Sequence, residues 1–258
     1  MPHTSNDVTR IHYEVIGEGL PLVLFHGLTG SGVRWRDNGI VTGLSNAHQL
    51  ILVDARGHGQ SDKPHSSDAY GGAIHAADVL AVLDDLGVQS SDIWGHSLGG
   101  NVALSLALLV PERTQRLIIT GYSPFPAGEE ESAEMAAWAT DLQGGITGFV
   151  SGYEARHGTL PEDARSRWLE NDGAALAACV EAMIAEADGR HLPHMANIPN
   201  PALYLVGSLE PFADEAVRAA EMMPAGRCDV LAGLDHVQTF LRSDVLLPLV
   251  RTFLGSKA

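Results

Sequence analysis

A serine stands between glycines where an apolar, strand-like run meets an apolar, helix-like run. The sequence GHSLGG at residues 95–100 joins the strand candidate 91–97 to the helix candidate 98–110. A Gly-x-Ser-x-Gly sequence favours a sharp strand-to-helix turn, because glycines remove side chains that would clash there. Such a turn holds the serine in a strained conformation and exposes its hydroxyl at the positive end of the helix. The pattern therefore predicts that Ser97 is a nucleophile.

A serine hydroxyl needs a base that takes its proton, and the base needs an acid that orients it. Residues of both types follow Ser97 in the chain. Glu210 comes three residues after Gly207, just beyond the strand candidate 202–208, and His236 comes just beyond the last strand candidate. The chain order serine, carboxylate, histidine is the order that an architecture of alternating strands and helices with such a turn requires. We predict His236 as the base and Glu210 as its acid.

Other residues compete for these two roles. Asp214 is the main rival acid, although it falls within the next helix candidate, and Asp235 is a sequence neighbour of the predicted base. Neighbours on a loop seldom face each other, so Asp235 is a poor choice. Among the histidines, we expect His26 and His58 to brace loops by hydrogen bonding. We expect His96 to point away from the adjacent serine.

Short apolar runs that are typical of strands alternate with helical stretches along most of the chain. Several runs are nearly continuous Val, Ile and Leu, as in strands that are buried on both faces. This alternation predicts a mostly parallel sheet with helices on both faces. The strand candidates are 10–17, 21–27, 49–55, 91–97, 116–122, 202–208 and 227–233, and the helix candidates are 70–86, 98–110, 212–223 and 243–254.

Residues 123–197 break the alternation, because they contain no strand candidate. This segment begins and ends in proline-rich sequences, and its content of Ala, Glu, Met and Trp predicts three or four helices. We expect a helical cap at 123–197, inserted into a core formed by 1–122 and 198–258. The candidates for a substrate pocket are Trp138, Phe149, Tyr153, Trp168 and Met183 in the cap, Val237 outside it, and Trp35, which is equally compatible with the core.

Four motifs together make the chain resemble the α/β-hydrolase family over nearly its whole length. They are HGLTGS at 26–31, DARGHGQSD at 54–62, GHSLGG at 95–100 and GLDH at 233–236. The resemblance implies an α/β-hydrolase fold: a mostly parallel central sheet with helices on both faces and a helical cap over the carboxyl ends of the strands. It also implies that the backbone N–H groups of Leu28 and Leu98 form an oxyanion hole.

One residue departs from the usual pattern of this family. Most similar members have Asp at the position of Glu210, whereas glutamate is found in some esterases and N-acyl-homoserine lactonases. The resemblance therefore favours a serine hydrolase that cleaves a carboxylic ester or lactone through an acyl-enzyme, without a cofactor. Two other enzymes use the same triad and remain open: a carbon–carbon bond hydrolase and a haloperoxidase-like perhydrolase. A small-molecule receptor with residual hydrolase activity is the alternative from another class.

The composition limits the partners. The chain carries 16 Lys and Arg against 32 Asp and Glu, a net charge of −16, which would repel nucleic acid and anionic membranes. Two cysteines argue against a disulfide framework, and the 12 histidines show no metal-binding spacing, so we predict no metal. Without a signal-peptide pattern or a run that could span a bilayer, we expect a cytoplasmic monomer or homodimer that acts on a small-molecule ester or lactone.

Overall fold

The computed structural model describes residues 2–255, which contain one eight-stranded sheet. Its strands are β1 (His3–Asn6), β2 (Thr9–Ile16), β3 (Leu20–Phe25), β4 (His48–Val53), β5 (Ser91–His96), β6 (Thr114–Thr120), β7 (Ala202–Gly207) and β8 (Gly226–Leu231). They lie side by side in the order β1-β2-β4-β3-β5-β6-β7-β8. The pairs β1–β2 and β2–β4 are antiparallel, and the other five are parallel. The carboxyl ends of six strands therefore meet at one edge.

Eleven α-helices lie in the described part of the chain, and four of them are consecutive between β6 and β7. The helices are α1 (Arg34–Asp37), α2 (Ile40–Leu44), α3 (Gly72–Asp85), α4 (Leu98–Leu109), α5 (Glu129–Asp141), α6 (Gly145–His157), α7 (Glu162–Leu169), α8 (Gly173–Glu186), α9 (Ala213–Met222), α10 (His236–Leu241) and α11 (Ser243–Leu254). Within residues 2–255, no helix has the length and apolar character needed to cross a membrane.

Two apolar layers cover the sheet, and strand β3 contributes to both. Leu22 and Leu24 pack into the layer that contains residues of α1, α2 and α11, whereas Val23 and Phe25 pack into the layer that contains residues of α3, α4 and α9. All four side chains are fully buried. Full burial of such a side chain contributes roughly 1.5–3 kcal/mol. The continuous apolar run arises because alternate side chains point to opposite, equally covered faces.

The predicted α/β fold is confirmed. All seven strand candidates and all four helix candidates form within two residues of their predicted ends, and 123–197 contains α5–α8 and no strand. Strand β1 was missed because its sequence, HTSN, has no apolar run. Helices α1, α2 and α10 were missed because helices of four to six residues are too short to show a helical period.

The turn after β4 fixes two loops at the edge where the strands end. One carboxylate oxygen of Asp54 accepts the Gly32 N–H at 2.7 Å, and the other accepts the Gln60 N–H at 2.9 Å. Arg56 donates two hydrogen bonds to Asp78 of α3, at 2.6 and 2.7 Å. Both Asp54 and Arg56 are buried. The Asp54 carboxylate thus holds the loop after β3 against the loop after β4, and Arg56 joins the loop after β4 to α3.

Three histidines are buried in this part of the molecule. The rings of His26 and His58 lie 5.3 Å apart, and His75 is fully buried. Burial is the largest cause of a lowered pKa in all three, and it brings the pKa of His58 down to about 3. The three rings are therefore neutral in the folded protein at neutral pH.

We expect the free energy of unfolding to decrease as the pH falls below about 6.5, the pKa of an unperturbed histidine. The unfolded chain binds protons there that the buried rings do not, so each ring contributes a slope of up to about 1.4 kcal/mol per pH unit. For His58 the slope should continue down to a pH of about 3. Urea denaturation at a series of pH values should give a shallower slope for His58→Gln. The exposed His194 provides the control, since His194→Gln should keep the wild-type slope; equal slopes in all three proteins would contradict this account.

Candidate active site

Ser97 lies in the turn between β5 and α4, and its φ is 54°. Only three non-glycine residues in the described chain have a positive φ. The turn needs its glycines, since a Cβ at Gly95 would overlap the carbonyl of Gly99, and one at Gly99 would overlap that of Phe25. The Ser97 N–H donates to the carbonyl of Thr120 at 2.9 Å, which joins the turn to the next strand. The serine thus occupies the strained position that its sequence predicts.

Glu210 and His236 meet at the carboxyl end of the sheet. The Nδ1 atom of His236 lies 2.7 Å from Oε2 of Glu210. The other oxygen, Oε1, accepts the Gly207 N–H at 2.8 Å and the Thr239 hydroxyl at 3.0 Å. The Glu210 carboxylate is buried, whereas His236 lines a cavity together with Ser97. The carboxylate is therefore held from one side and presents a single oxygen to the histidine.

The rival acids lie elsewhere. Asp235 caps α10, where its carboxylate accepts the Gln238 N–H at 2.8 Å, and Asp214 lies in the first turn of α9. Among residues 2–255, Glu210 is the carboxylate that hydrogen-bonds to His236. The Ser97 hydroxyl makes no hydrogen bond within the same range; the bond between a catalytic serine and its base often tightens only when substrate binds.

His96 does not point away from the site, contrary to the expectation from sequence. Its ring stacks on that of His236, with 5.0 Å between centroids, and lines the same cavity. Burial, with a smaller contribution from His236, lowers the pKa of His96 well below its usual value, so the ring is neutral. Gly121, at a φ of 59°, makes room for the pair, because a Cβ there would lie 3.0 Å from atoms of both rings.

The loop after β3 is braced by His26, as its sequence predicts. The Ala55 N–H donates to Nε2 of His26 at 3.0 Å, so Nδ1 carries the proton and donates to the Gly27 carbonyl at 2.8 Å. The backbone N–H groups of Leu28, in this loop, and of Leu98, the first residue of α4, make no hydrogen bond within residues 2–255. Two unpaired donors are thus available near Ser97.

A cavity of about 240 Å³ lies beside Ser97, between the sheet edge and the helices of 123–197. This volume falls just below the range of roughly 300–1,000 Å³ that is usual for ligand pockets. Six of the residues predicted from sequence line it: Leu28, Trp138, Phe149, Tyr153, Trp168 and Val237. The side chains of three separate helices thereby form the wall opposite the serine.

Two predicted pocket residues do not line the cavity. Trp35 is fully buried in the apolar layer below the sheet, where its ring packs edge-on against Trp94 and Phe240 at 5.1 and 5.0 Å. Met183, on α8, packs instead against the cluster that contains Tyr70 and Leu98. Both predictions were wrong because residue type alone does not reveal which apolar surface a side chain covers.

Sequence reasoning also missed part of the lining. Arg34, which directly precedes Trp35, faces the cavity, and so do Phe240 and Leu241 of α10. A helix as short as α1 gives no periodic signal that would separate the face of Arg34 from that of Trp35. Leu160, Pro161 and Ala164 complete the wall formed by the segment around the start of α7.

This chain belongs to the α/β-hydrolase fold family, whose model matches residues 21–220. Its relatives include a non-heme chloroperoxidase of Streptomyces lividans, which is 29% identical over 98% of this chain and 99% of the relative.

Solved structures give the same fold. The enol-lactonase from Burkholderia xenovorans LB400 superimposes with a TM-score of 0.82 at 24% identity, covering 99% of this chain and 100% of that one. An esterase from Exiguobacterium antarcticum superimposes with a TM-score of 0.84 at 20% identity, covering 98% and 99%. At these identities the two likenesses establish the architecture alone.

Proposed function

We propose that this protein is a serine hydrolase that cleaves a carboxylic ester or lactone through Ser97, His236 and Glu210. The observation that carries the proposal is the 2.7 Å hydrogen bond between Glu210 and His236 at a cavity that also contains Ser97. A buried carboxylate that bonds to Nδ1 fixes the tautomer in which Nε2 is free to accept a proton. That arrangement suits His236 to act as a general base toward the serine.

The proposed reaction has two half-reactions. The Ser97 oxygen attacks the carbonyl carbon while Nε2 of His236 takes its proton, and the same proton then goes to the leaving alcohol as the ester bond breaks. Water next attacks the acyl-enzyme and loses a proton to His236, which gives it to the Ser97 oxygen as the bond between that oxygen and the acyl group breaks and the acid is released. The Glu210 carboxylate stabilises the imidazolium that forms in each half-reaction.

The two unpaired N–H groups suit the charge that develops in this reaction. The tetrahedral intermediate places a negative charge on the former carbonyl oxygen, and Leu28 and Leu98 supply donors that no other described residue occupies. A donor of this kind is worth about 3 kcal/mol in the transition state.

A perhydrolase reaction is the second candidate, because the whole-length relative from Streptomyces lividans is a non-heme chloroperoxidase. Hydrogen peroxide would replace water in the second half-reaction, so that the acyl-enzyme yields a peracid. The same triad and oxyanion donors would serve.

A substrate panel tests these proposals. It contains p-nitrophenyl esters of increasing acyl length, homoserine and aromatic lactones, one meta-cleavage product, and acetate with hydrogen peroxide. Turnover of esters or lactones supports the hydrolase, and peracid formation that exceeds ester hydrolysis supports the perhydrolase. Cleavage of the meta-cleavage product alone would favour a carbon–carbon bond hydrolase, whereas a single slow release of nitrophenol would favour a receptor.

We propose further that 123–197 acts as a cap that selects the substrate. Trp168→Ala and Tyr153→Ala should shift the preference toward longer acyl chains, because both side chains line the cavity and their removal enlarges it. Each additional buried CH₂ should raise the relative kcat/KM by about three- to fivefold. The measurement is the ratio of kcat/KM for octanoate to that for acetate.

Met183→Ala is the matched control, since Met183 belongs to the same segment but not to the cavity wall. It should keep the wild-type ratio. If Trp168→Ala, Tyr153→Ala and Met183→Ala all keep that ratio, these helices do not select the substrate.

A further inference from the structure

Arg34 brings a positive charge into the cavity wall. It is the first residue of α1, in the loop region that also carries Leu28, and its side chain is 20% exposed. Burial lowers the pKa of Arg34 and the neighbouring Arg167 lowers it further, while Asp37 and Asp163 act in the opposite direction without reversing the change. A guanidinium nevertheless stays protonated in a protein, so the cavity contains a permanent cation.

The guanidinium of Arg34 has no close partner within residues 2–255. It makes no side-chain hydrogen bond there, and its only ion pair is with Asp37 at 4.0 Å, the limit of such a contact. Asp37 is shared, since Arg167 approaches it to 3.9 Å. Arg167, in contrast, has a close partner of its own in Asp163 at 2.6 Å. Five N–H donors of Arg34 are thus left for another acceptor.

The residues that line the rest of the cavity bring no opposite charge to Arg34. Among the described residues that line it, none is a carboxylate, and most are aliphatic or aromatic. A partly buried cation in such surroundings is costly unless an anion pairs with it. The net charge of −16 repels anions at long range. An anionic substrate would therefore need a local cation in the cavity.

We propose that Arg34 binds a carboxylate of the substrate, so that the site selects esters or lactones that carry a free carboxylate group. This inference rests on the proposed hydrolase function and names its substrate class. The planar guanidinium fork matches a carboxylate with two parallel hydrogen bonds, which fixes orientation as well as charge. Arg34 thereby positions the carbonyl of the same molecule beside Ser97.

The test compares two esters of equal carbon number, mono-p-nitrophenyl adipate and p-nitrophenyl hexanoate. Wild-type protein should have the higher kcat/KM for the adipate. Arg34→Gln should lower kcat/KM for the adipate by about 10- to 100-fold, the loss expected for hydrogen bonds to a charged group. Its kcat/KM for the hexanoate should stay within about twofold of wild type, because that ester makes no such bonds. Arg34→Lys should restore part of the loss, since it keeps the charge but not the fork.

Arg36→Gln is the matched control. Arg36 lies on the same helix but pairs with Glu14 and does not line the cavity. Arg36→Gln removes the same formal charge as Arg34→Gln, so a purely long-range electrostatic effect on kcat/KM would appear equally in both variants. An unchanged adipate-to-hexanoate ratio in Arg34→Gln would overturn the inference while leaving the hydrolase proposal intact.

A binding measurement keeps the two proposals separable if neither ester is hydrolysed. Saturation-transfer NMR of adipate with Ser97→Ala protein should show contact between adipate and the protein. The double variant Ser97→Ala, Arg34→Gln should show no such contact. Equal signals from the two proteins would overturn the role of Arg34 whatever the reaction. Loss of signal together with no turnover would reject the hydrolase proposal alone.

Discussion

Ser97→Ala should reduce the turnover of p-nitrophenyl esters by a factor on the order of 10⁴ or more, the loss seen when a serine hydrolase loses its nucleophile. The fold should survive, because the hydroxyl makes no hydrogen bond within residues 2–255 and the backbone of the turn is held by the Thr120 carbonyl. Steady-state kinetics measures the first expectation and thermal unfolding the second. Residual activity above a few per cent would show that another group forms the acyl-enzyme.

Ser105 provides the matched control for this variant. It lies on α4, and its hydroxyl is 3.1 Å from Nε2 of His191, so it belongs to a second serine–histidine pair. Ser105 does not line the cavity, and Ser105→Ala should keep wild-type turnover. Phenylmethylsulfonyl fluoride should add one label per chain, at Ser97. A label on Ser105 would place the nucleophile outside the cavity and contradict the proposed mechanism.

Glu210→Gln should lower kcat by about 10² or more, toward the ~10⁴ that follows removal of the charge of a triad acid. The structure supplies a reason beyond charge. The Gly207 N–H must donate to the atom at the Oε1 position, so the amide oxygen of the glutamine occupies it and the NH₂ group faces His236. Nδ1 of His236 must then accept, which places the ring proton on Nε2 and prevents it from taking the proton of Ser97.

Glu210→Asp should retain more activity than Glu210→Gln, since the charge survives and only the reach is shortened. Asp214→Asn should be close to wild type, because Asp214 lies on α9 and does not contact His236. The kcat of Glu210→Gln should also be measured over a range of pH. It should stay low as the pH rises, because a higher pH does not move the ring proton of His236 from Nε2 to Nδ1. Normal turnover in Glu210→Gln together with loss of turnover in Asp214→Asn would show that Asp214 of α9, and not Glu210, is the acid that orients His236.

The proposed triad could be identified from sequence because each of its members follows a strand. Ser97, Glu210 and His236 come at the ends of apolar runs, and parallel strands bring their carboxyl ends to one edge of the sheet. Local pattern and chain order were sufficient for these positions. Nothing beyond the strands themselves was needed to bring the three residues together.

The substrate side of the cavity could not be predicted in the same way. Arg34 and Trp35 are neighbours, yet one faces the cavity and the other the core, and four helical residues contain too little pattern to assign a face. Met183 shows the same problem in the segment 123–197, where several helices offer apolar residues to more than one surface. The lining depends on how separate helices pack over the sheet, which is a property of the folded chain.

The helical segment between β6 and β7 has a consequence for the order of assembly during synthesis. Strands β1–β6 can pair as soon as Thr120 has emerged, but β7, which covers the edge of β6, begins at Ala202. About 80 residues separate the two, and at roughly 5–20 residues per second their translation takes about 4–16 s. Throughout this interval the apolar β6 presents unpaired N–H and C=O groups, the template on which strands of other chains can add. The helices that come to lie over the cavity are thus made during the period when the nascent sheet is most open to aggregation, and they are the first material available to shield it.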